Sequence, residues 1–136
     1  MKKLFLLLFV LGAGVSMNAQ YDWKELPSIF SEVYKLAEEL NEKTDKVVAN
    51  GDIISVTTNN GTISVQQELD KSVKPELKHY QYKLITTNGK NILLDKMNSK
   101  RVIESFQAKL LTLREQLRVN QDADVESILK DLFSND

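Results

Sequence analysis

Ser127 and Lys130 stand three residues apart near the end of the chain. On a helix, this S-x-x-K spacing lets a lysine activate a serine nucleophile one turn away. Residues 20–136 contain 9 Ser and 13 Lys, so one such pair is expected by chance, and one is found. No S-D-N or K-T-G sequence accompanies it. We therefore interpret the pair as a chance spacing and not as a catalytic dyad.

His79 is the only histidine, and the chain has no cysteine. A zinc site built on His79 would need Asp or Glu for its other ligands, and no H-E-x-x-H sequence is present. Alternation along a strand places His79 with Gln81 and Lys83, on the face opposite Tyr80 and Tyr82. We expect His79 to be a solvated strand residue.

Acidic residues form two groups that could suggest metal binding or acid–base catalysis. Asp122, Asp124 and Glu126 alternate as in a calcium loop, but the central Gly and late Glu of that loop are missing. Because acids complement the dipole in the first turn of a helix, we interpret this group as helix capping. The second group interleaves with lysines on the first predicted helix and indicates a solvated face: Glu38, Glu39, Glu42 and Asp45.

Three aromatic residues, Trp23, Tyr80 and Tyr82, lie near basic residues and could stack on sugars or anionic rings. Strand alternation, however, places both tyrosines on the core face with Leu84. The sequence therefore predicts no catalytic residue, no cofactor-binding residue, no metal ligand and no cofactor.

Two similar strings, ISVTTNNGTISV and KLITTNGKNILL, raise the question of a duplicated binding loop. Each sets Thr-Thr-Asn and a Gly between apolar runs, which is typical of a β-hairpin. In the first, pairing Val56 with Val65 leaves Asn60-Gly61 as a two-residue turn. The predicted strands are residues 53–58, 62–68, 79–86 and 91–96.

In the second hairpin, pairing Leu84 with Ile92 requires a three-residue turn, Thr87-Asn88-Gly89, with Gly89 in the left-handed conformation. The two similar strings thus require different turns. We favour shared turn chemistry over a duplicated binding loop.

Apolar spacings of three and four predict one helix over Pro27–Ala49, ended by Asn50-Gly51, and a second over Ser99–Val119 with Ser99 as its N-cap. A short helix capped by Asp122 or Asp124 follows. The apolar side of this helix either packs on the domain or stays loose until it binds a groove in a partner protein. Its residues are Val125, Ile128, Leu129, Leu132 and Phe133.

These elements predict an α+β fold. We expect a two-layer sandwich in which two hairpins form a four-stranded antiparallel sheet. An N-terminal and a C-terminal long helix would cover one face, with the short helix added at the C-terminus. The competing architecture is a long helical hairpin with a small sheet at one end.

Residues 1–19 have the layout of a secretory signal peptide, in which Lys2 and Lys3 precede an apolar run and Ala19 precedes Gln20. The apolar run is shorter than the roughly 20 residues that a membrane span needs. We expect an exported protein, periplasmic or extracellular, with no membrane span in the mature chain; an uncleaved anchor is the alternative. A single α+β domain, 20–119, and an acidic tail, 120–136, would follow the leader.

The net charge of −1 conceals an alternation of sign along the chain. Residues 20–70 carry −6, residues 71–118 carry +7 and residues 119–136 carry −4. The chain as a whole is not basic enough to predict nucleic acid as its partner. We expect a protein partner, bound through the C-terminal helix or through the basic segment 71–118.

These observations favour a small exported interaction or ligand-binding domain that is not an enzyme. One alternative is a subunit of an envelope assembly, which would expose an apolar patch larger than a few hundred Å². The other is a carboxylate-only hydrolase, which would bring two acids together in a cleft.

The leader gives a direct prediction about the exported protein. Mass spectrometry is expected to find a chain that starts at Gln20, free or cyclised to pyroglutamate. Replacing Lys2 and Lys3 by Glu removes the basic head and should slow processing, whereas Lys24→Glu, beyond the junction, should be processed normally. A mature chain that keeps Lys2 and Lys3 would contradict the prediction.

Overall fold

The computed structural model describes the main chain of residues 14–72, 74 and 79–134, and the side chains in those ranges from Glu25 to Leu132. The helices and strands of this part are α1 Gly14–Asn41, β1 Val47–Asn50, β2 Ile53–Thr58, β3 Gly61–Leu69, β4 Tyr80–Ile85, β5 Asn91–Leu94, α2 Lys96–Val119, α3 Val125–Leu129 and α4 Asp131–Ser134.

The predicted α+β class is confirmed, but the sheet has five strands and not four. Its order is β1-β2-β3-β4-β5, and every neighbouring pair is antiparallel. Each strand therefore pairs with the strand that follows it in the chain, as in a meander.

The additional strand β1 comes from a region that we predicted to be helical. α1 ends at Asn41, and Thr44 Oγ1 accepts a hydrogen bond from Lys46 N–H at 3.2 Å in the turn that follows. Val47 then pairs with Val56 of β2. The separation of seven residues between Leu40 and Val47 corresponds to two helical turns, and for this reason the spacing predicts that Val47 belongs to the helix. Branched residues such as valine also favour strands.

Two further boundary predictions for this region are wrong. Pro27 lies inside α1 and not in its first turn. Gly51 does not end a helix; its positive φ of 64° serves the short turn between β1 and β2, where Asn50 pairs with Ile53.

The β2–β3 hairpin has the predicted faces but a register shifted by two residues. Val56 pairs with Ile63 and not with Val65, so the turn is Asn59-Asn60. A shift of two residues leaves every side chain on the same face, and for this reason alternation alone did not distinguish the two registers.

The β4–β5 hairpin has the predicted register and turn, but β5 ends at Leu94 and not at Lys96, which lies in α2. Leu84 pairs with Ile92, and Thr86 N–H donates to the Lys90 carbonyl oxygen at 3.1 Å across the three-residue turn. Gly89 has the expected positive φ, 77°.

α2 begins before the predicted Ser99, because the carboxylate of Asp95 accepts a hydrogen bond from Asn98 N–H at 2.7 Å and caps the helix. Ser99 is instead buried inside the helix, and its hydroxyl donates to the Leu94 carbonyl oxygen at 3.4 Å. The apolar spacing that predicted this helix corresponds to its buried residues Val102, Ile103, Phe106, Leu110, Leu113 and Leu117. Leu111, expected beside them, is 39% exposed.

α1, α2 and one face of the sheet contribute the buried side chains of the core. The ring of Tyr82 on β4 lies 5.8 Å from that of Phe30 on α1, centroid to centroid. α1 also packs along α2. Burying an aliphatic side chain contributes about 1.5–3 kcal/mol, and the sheet supplies seven buried apolar residues from this face: Val47, Ile54, Val56, Ile63, Val65, Tyr82 and Leu94.

The tail packs on the same core as two short helical pieces, α3 and α4, where we predicted one helix. Leu129 and Leu132 are buried and Ile128 is half-buried, whereas the side chain of Phe133 lies outside the described residues. Asp131 lies 3.6 Å from Lys109 of the basic segment, as the charge pattern suggested.

Gly61 and Gly89 give a graded prediction, because both have positive φ but only Gly61 is crowded. A methyl group at Gly61 would overlap the side chain of Thr87, whereas nothing lies within 4 Å of one at Gly89. Gly89→Ala should lower the free energy of unfolding by about 1 kcal/mol, and Gly61→Ala by more. Denaturant unfolding measures both, with the exposed Asn88→Ala as the control. Equal losses for the two glycines would contradict the crowding.

Docking of the tail predicts a loss of stability when its buried leucine is truncated. Leu129→Ala should lower the free energy of unfolding by about 2–5 kcal/mol, the usual cost of a cavity at a buried leucine. A chain that ends at Asn120 should melt several degrees lower and bind more of an apolar dye. Val119→Ala, at a side chain that is 71% exposed, is the control. An unchanged melting temperature in the shortened chain would show that the tail does not dock.

Candidate functional site

The predicted Ser127–Lys130 pair is not placed in a cleft. Both residues are exposed, Ser127 on α3 and Lys130 directly after it. The main-chain N–H of Ser127 donates to the Asp124 carboxylate at 3.3 Å. The main chain of Ser127 therefore belongs to the cap of α3.

The acidic residues of the tail have structural partners. Asp124 caps α3, as predicted. Glu126 accepts a hydrogen bond from Asn59 N–H at 2.8 Å and lies 3.1 Å from Lys46 Nζ. The Asn59 N–H, and after it Lys46, hold the pKa of the Glu126 carboxyl below its usual value. Glu126 thus ties the tail to the turn of the β2–β3 hairpin.

On α1, Glu39 lies 3.5 Å from Arg114 of α2, in an exposed ion pair. Among the residues that the structure describes, no three His, Asp or Glu side chains converge as metal ligands would. In the same part of the chain, no helix has both the length and the apolarity needed to cross a membrane.

His79 and the tyrosines do not form a stacking surface. His79 directly precedes β4, is half-buried, and accepts a hydrogen bond from Asp70 N–H through its carbonyl oxygen at 2.7 Å. Tyr82 is fully buried, and its hydroxyl donates to Gln67 Oε1 at 2.9 Å. Burial raises the pKa of Tyr82 well above its ordinary value. The side chain of Trp23 lies outside the described residues.

The turns of the β2–β3 and β4–β5 hairpins, which are distant in the sequence, contact each other at one end of the sheet. The Thr87 hydroxyl accepts a hydrogen bond from Thr62 N–H at 2.9 Å and donates one to the Thr62 carbonyl oxygen at 3.1 Å. Gly61 leaves the space that the Thr87 side chain occupies. These contacts hold the two turns in a fixed relative position.

A groove of about 530 Å³ opens beside these turns, between the β4–β5 hairpin and α2. We call it the turn groove. Its volume falls within the roughly 300–1,000 Å³ that is typical of small-molecule sites.

The floor and inner wall of the turn groove are apolar. Ile63, Leu84 and Ile92 contribute from three adjacent strands, and Val102 and Phe106 contribute from α2. Ile63, Val102 and Phe106 are buried, whereas Ile92 is 42% exposed. The core is therefore less completely covered over β4 and β5 than over the other strands.

The rim of the turn groove is polar and positively charged. Lys90 enters it from the second turn and Arg101 from α2, and both side chains are exposed. The ion pairs of the described residues involve neither of them. Their charges are therefore available to an anion.

Uncharged polar groups complete the rim. Asn60 and Asn88 contribute from the two turns, and Ser105 from α2. The hydroxyl oxygen of Thr86, another lining residue, is buried without a hydrogen-bond partner among the described residues. Because buried polar atoms are normally paired, Thr86 is a local exception in the wall of the groove.

The lining of the turn groove combines apolar side chains with two cations. An apolar floor with two cations at its rim can hold a molecule that has an apolar body and an anionic head. The described lining contains no Asp, Glu or His, and so lacks the groups that usually act as acid or base.

Sequence reasoning did not find the turn groove, because its residues come from segments far apart in the chain. One signal was present in the sequence: Lys90 and Arg101 belong to the basic segment 71–118, which we singled out as a partner surface.

Comparison of this chain with protein-family models, with curated proteins and with solved structures finds no match to any of them.

Proposed function

We propose that this protein is a small exported binding domain without catalytic activity, and that the turn groove receives an amphipathic anion. The observation that carries the proposal is the combination of an apolar floor with the exposed cations Lys90 and Arg101, which form no ion pair with the described residues. A carboxylate, sulfonate or phosphate head would lie at the rim, and an aliphatic or aromatic body would cover the floor.

The apolar part of the ligand would supply most of the binding free energy. Ile92 and Leu84 are only partly covered, and removing apolar surface from water contributes about 25 cal/mol per Å². The cations would mainly select the charge of the head, since an exposed ion pair contributes about 0–1 kcal/mol. Neutral and anionic ligands with the same body should therefore differ modestly but measurably in affinity.

Export remains part of the proposal because residues 1–19 have the layout of a signal peptide. The lack of cysteine is compatible with that route, because the fold needs no disulfide. A two-layer sandwich with both long helices on one face is the arrangement that best accounts for the buried residues, with the fifth strand added to the predicted sheet.

A carboxylate-only hydrolase is disfavoured because the turn groove carries cations where such an enzyme needs two acids. The assembly-subunit alternative has one supporting observation: three exposed apolar residues, Ile92, Leu93 and Met97, lie within six positions of one another.

Decanoate and decanol distinguish the roles of the head and the body. Calorimetry should find that decanoate binds the wild-type protein more tightly than decanol. The double variant Lys90→Gln/Arg101→Gln should weaken decanoate binding by about tenfold, at up to about 1 kcal/mol per ion pair, and leave decanol unchanged.

Two matched variants complete the test. Ser105→Phe places a ring in the groove and should weaken both ligands. Lys100→Gln removes a cation of the same helix that does not line the groove, and should change neither. Unaltered decanoate binding in the double variant, or no binding of either ligand to the wild-type protein, would overturn the proposal.

A further inference from the structure

β5 is an edge strand whose outer side has main-chain groups available for pairing. Thr86 N–H donates to the Lys90 carbonyl oxygen, and bonded pairs alternate in an antiparallel ladder. Ile92 and Leu94 therefore direct their main-chain groups towards β4, whereas Asn91 and Leu93 direct theirs away from the sheet. The hydrogen bonds recorded between described residues do not use these outward groups of Asn91 and Leu93.

The same edge carries a cluster of exposed apolar side chains. Leu93 is 61% exposed on the sheet face that the helices leave open, Ile92 is 42% exposed on the groove side, and Met97 is 80% exposed at the start of α2. Soluble domains usually protect an edge by keeping the strand short or with a charged residue, a proline or a bulge. β5 is short, with four residues. β5, with the sequence Asn-Ile-Leu-Leu, has neither a charge nor a proline.

The opposite edge of the sheet differs from β5. β1 packs against α1, and its first residue, Val47, is fully buried. Val48 is its most exposed apolar side chain, at 37%. Of the two edges of the sheet, β5 therefore has the more exposed apolar side chains.

Charge around β5 selects the kind of strand that it can accept. Residues 90–101 contain four basic residues and one acid, Asp95, which gives +3. Asp95 already accepts hydrogen bonds from Asn98 as the cap of α2. A second copy of β5 would bring two such basic regions together, and like charges at an interface oppose association. An acidic segment would instead find complementary charge.

We propose that β5 accepts an extended acidic segment of another protein as a sixth strand of the sheet. The segment would pair its main chain with Asn91 and Leu93, the mode of recognition in which backbone hydrogen bonds supply affinity and alternate side chains supply specificity. An apolar residue would lie beside Leu93 on the open face. Asp or Glu at the ends of the segment would lie near the basic residues that flank β5.

This interaction does not require a ligand in the turn groove. The outward groups of Asn91 and Leu93 lie in the plane of the sheet, whereas the groove opens from the face that packs on α2. The two proposals can therefore succeed or fail separately.

A pair of nine-residue peptides tests the inference on the full-length protein. One alternates Val and Thr and has two acids at each end; its counterpart has lysines in place of the acids. We expect the acidic peptide to bind, to shift and protect the amides of Asn91 and Leu93 in NMR spectra, and to bind less tightly as salt is raised. The basic peptide should not bind. Equal binding of both peptides would overturn the inference.

Variants at Leu93 separate strand pairing from simple apolar contact. Leu93→Pro removes an N–H that points away from β4, so the sheet keeps its own ladder while the added strand loses a donor. We expect Leu93→Pro to weaken the acidic peptide at least about tenfold, and Leu93→Thr, which keeps the N–H, to weaken it less. Unchanged affinity in Leu93→Pro with a native unfolding transition would overturn strand addition.

Two further measurements give distinct outcomes. Ser105→Phe, which fills the turn groove, should leave peptide binding unchanged; loss of binding would place the peptide in the groove instead. Sedimentation of the protein alone should find no dimer that depends on Leu93. A dimer abolished by Leu93→Pro would overturn the acidic partner in favour of a second copy of this chain.

Discussion

The burial of apolar side chains from α1, α2 and one face of the sheet in a single core is the interaction on which this fold depends. The chain has no cysteine, and its described residues form no cluster of metal ligands, so packing must offset the conformational entropy of folding. Phe30 and Tyr82 join α1 to β4, and Phe106 brings α2 to the same core. The other face of the sheet carries hydroxyl pairs, such as Ser55 with Ser64, that face away from this core.

The turn groove and the β5 edge follow from the same constraint. Apolar coverage of the sheet is incomplete at β5, where Ile92 and Leu93 remain exposed. Incomplete coverage costs stability, since apolar surface stays in water. It also leaves surface on which a ligand or a partner strand can gain binding free energy. The basic charge of residues 90–101 favours the binding of anionic molecules at this surface.

The C-terminal tail contacts the core, the turn groove and the turn of the β2–β3 hairpin. Leu129 is buried among core residues, Leu132 is buried where it lines the groove, and Glu126 binds the turn of the β2–β3 hairpin. Exposed ion pairs such as Lys109–Asp131 contribute little by themselves, so the leucines hold the tail and the charges orient it. The acidic tail is thus packed on the domain that contains the basic segment 71–118.

The sequence by itself determined the α+β class, the apolar spacing of α2, and the register and turn of the β4–β5 hairpin with Gly89, because each depends on local periodicity or local turn chemistry. Tertiary structure alone decided the rest. The local sequence around Val47 is compatible with a helix or a strand, and its pairing with β2 makes it a strand. A two-residue shift of the β2–β3 register leaves each side chain on the same face, so the register found, in which Thr87 packs against Gly61, could not be chosen from alternation. The groove joins strands, a turn and a helix that no spacing along the chain relates, so only long-range packing could bring its cations over its apolar floor.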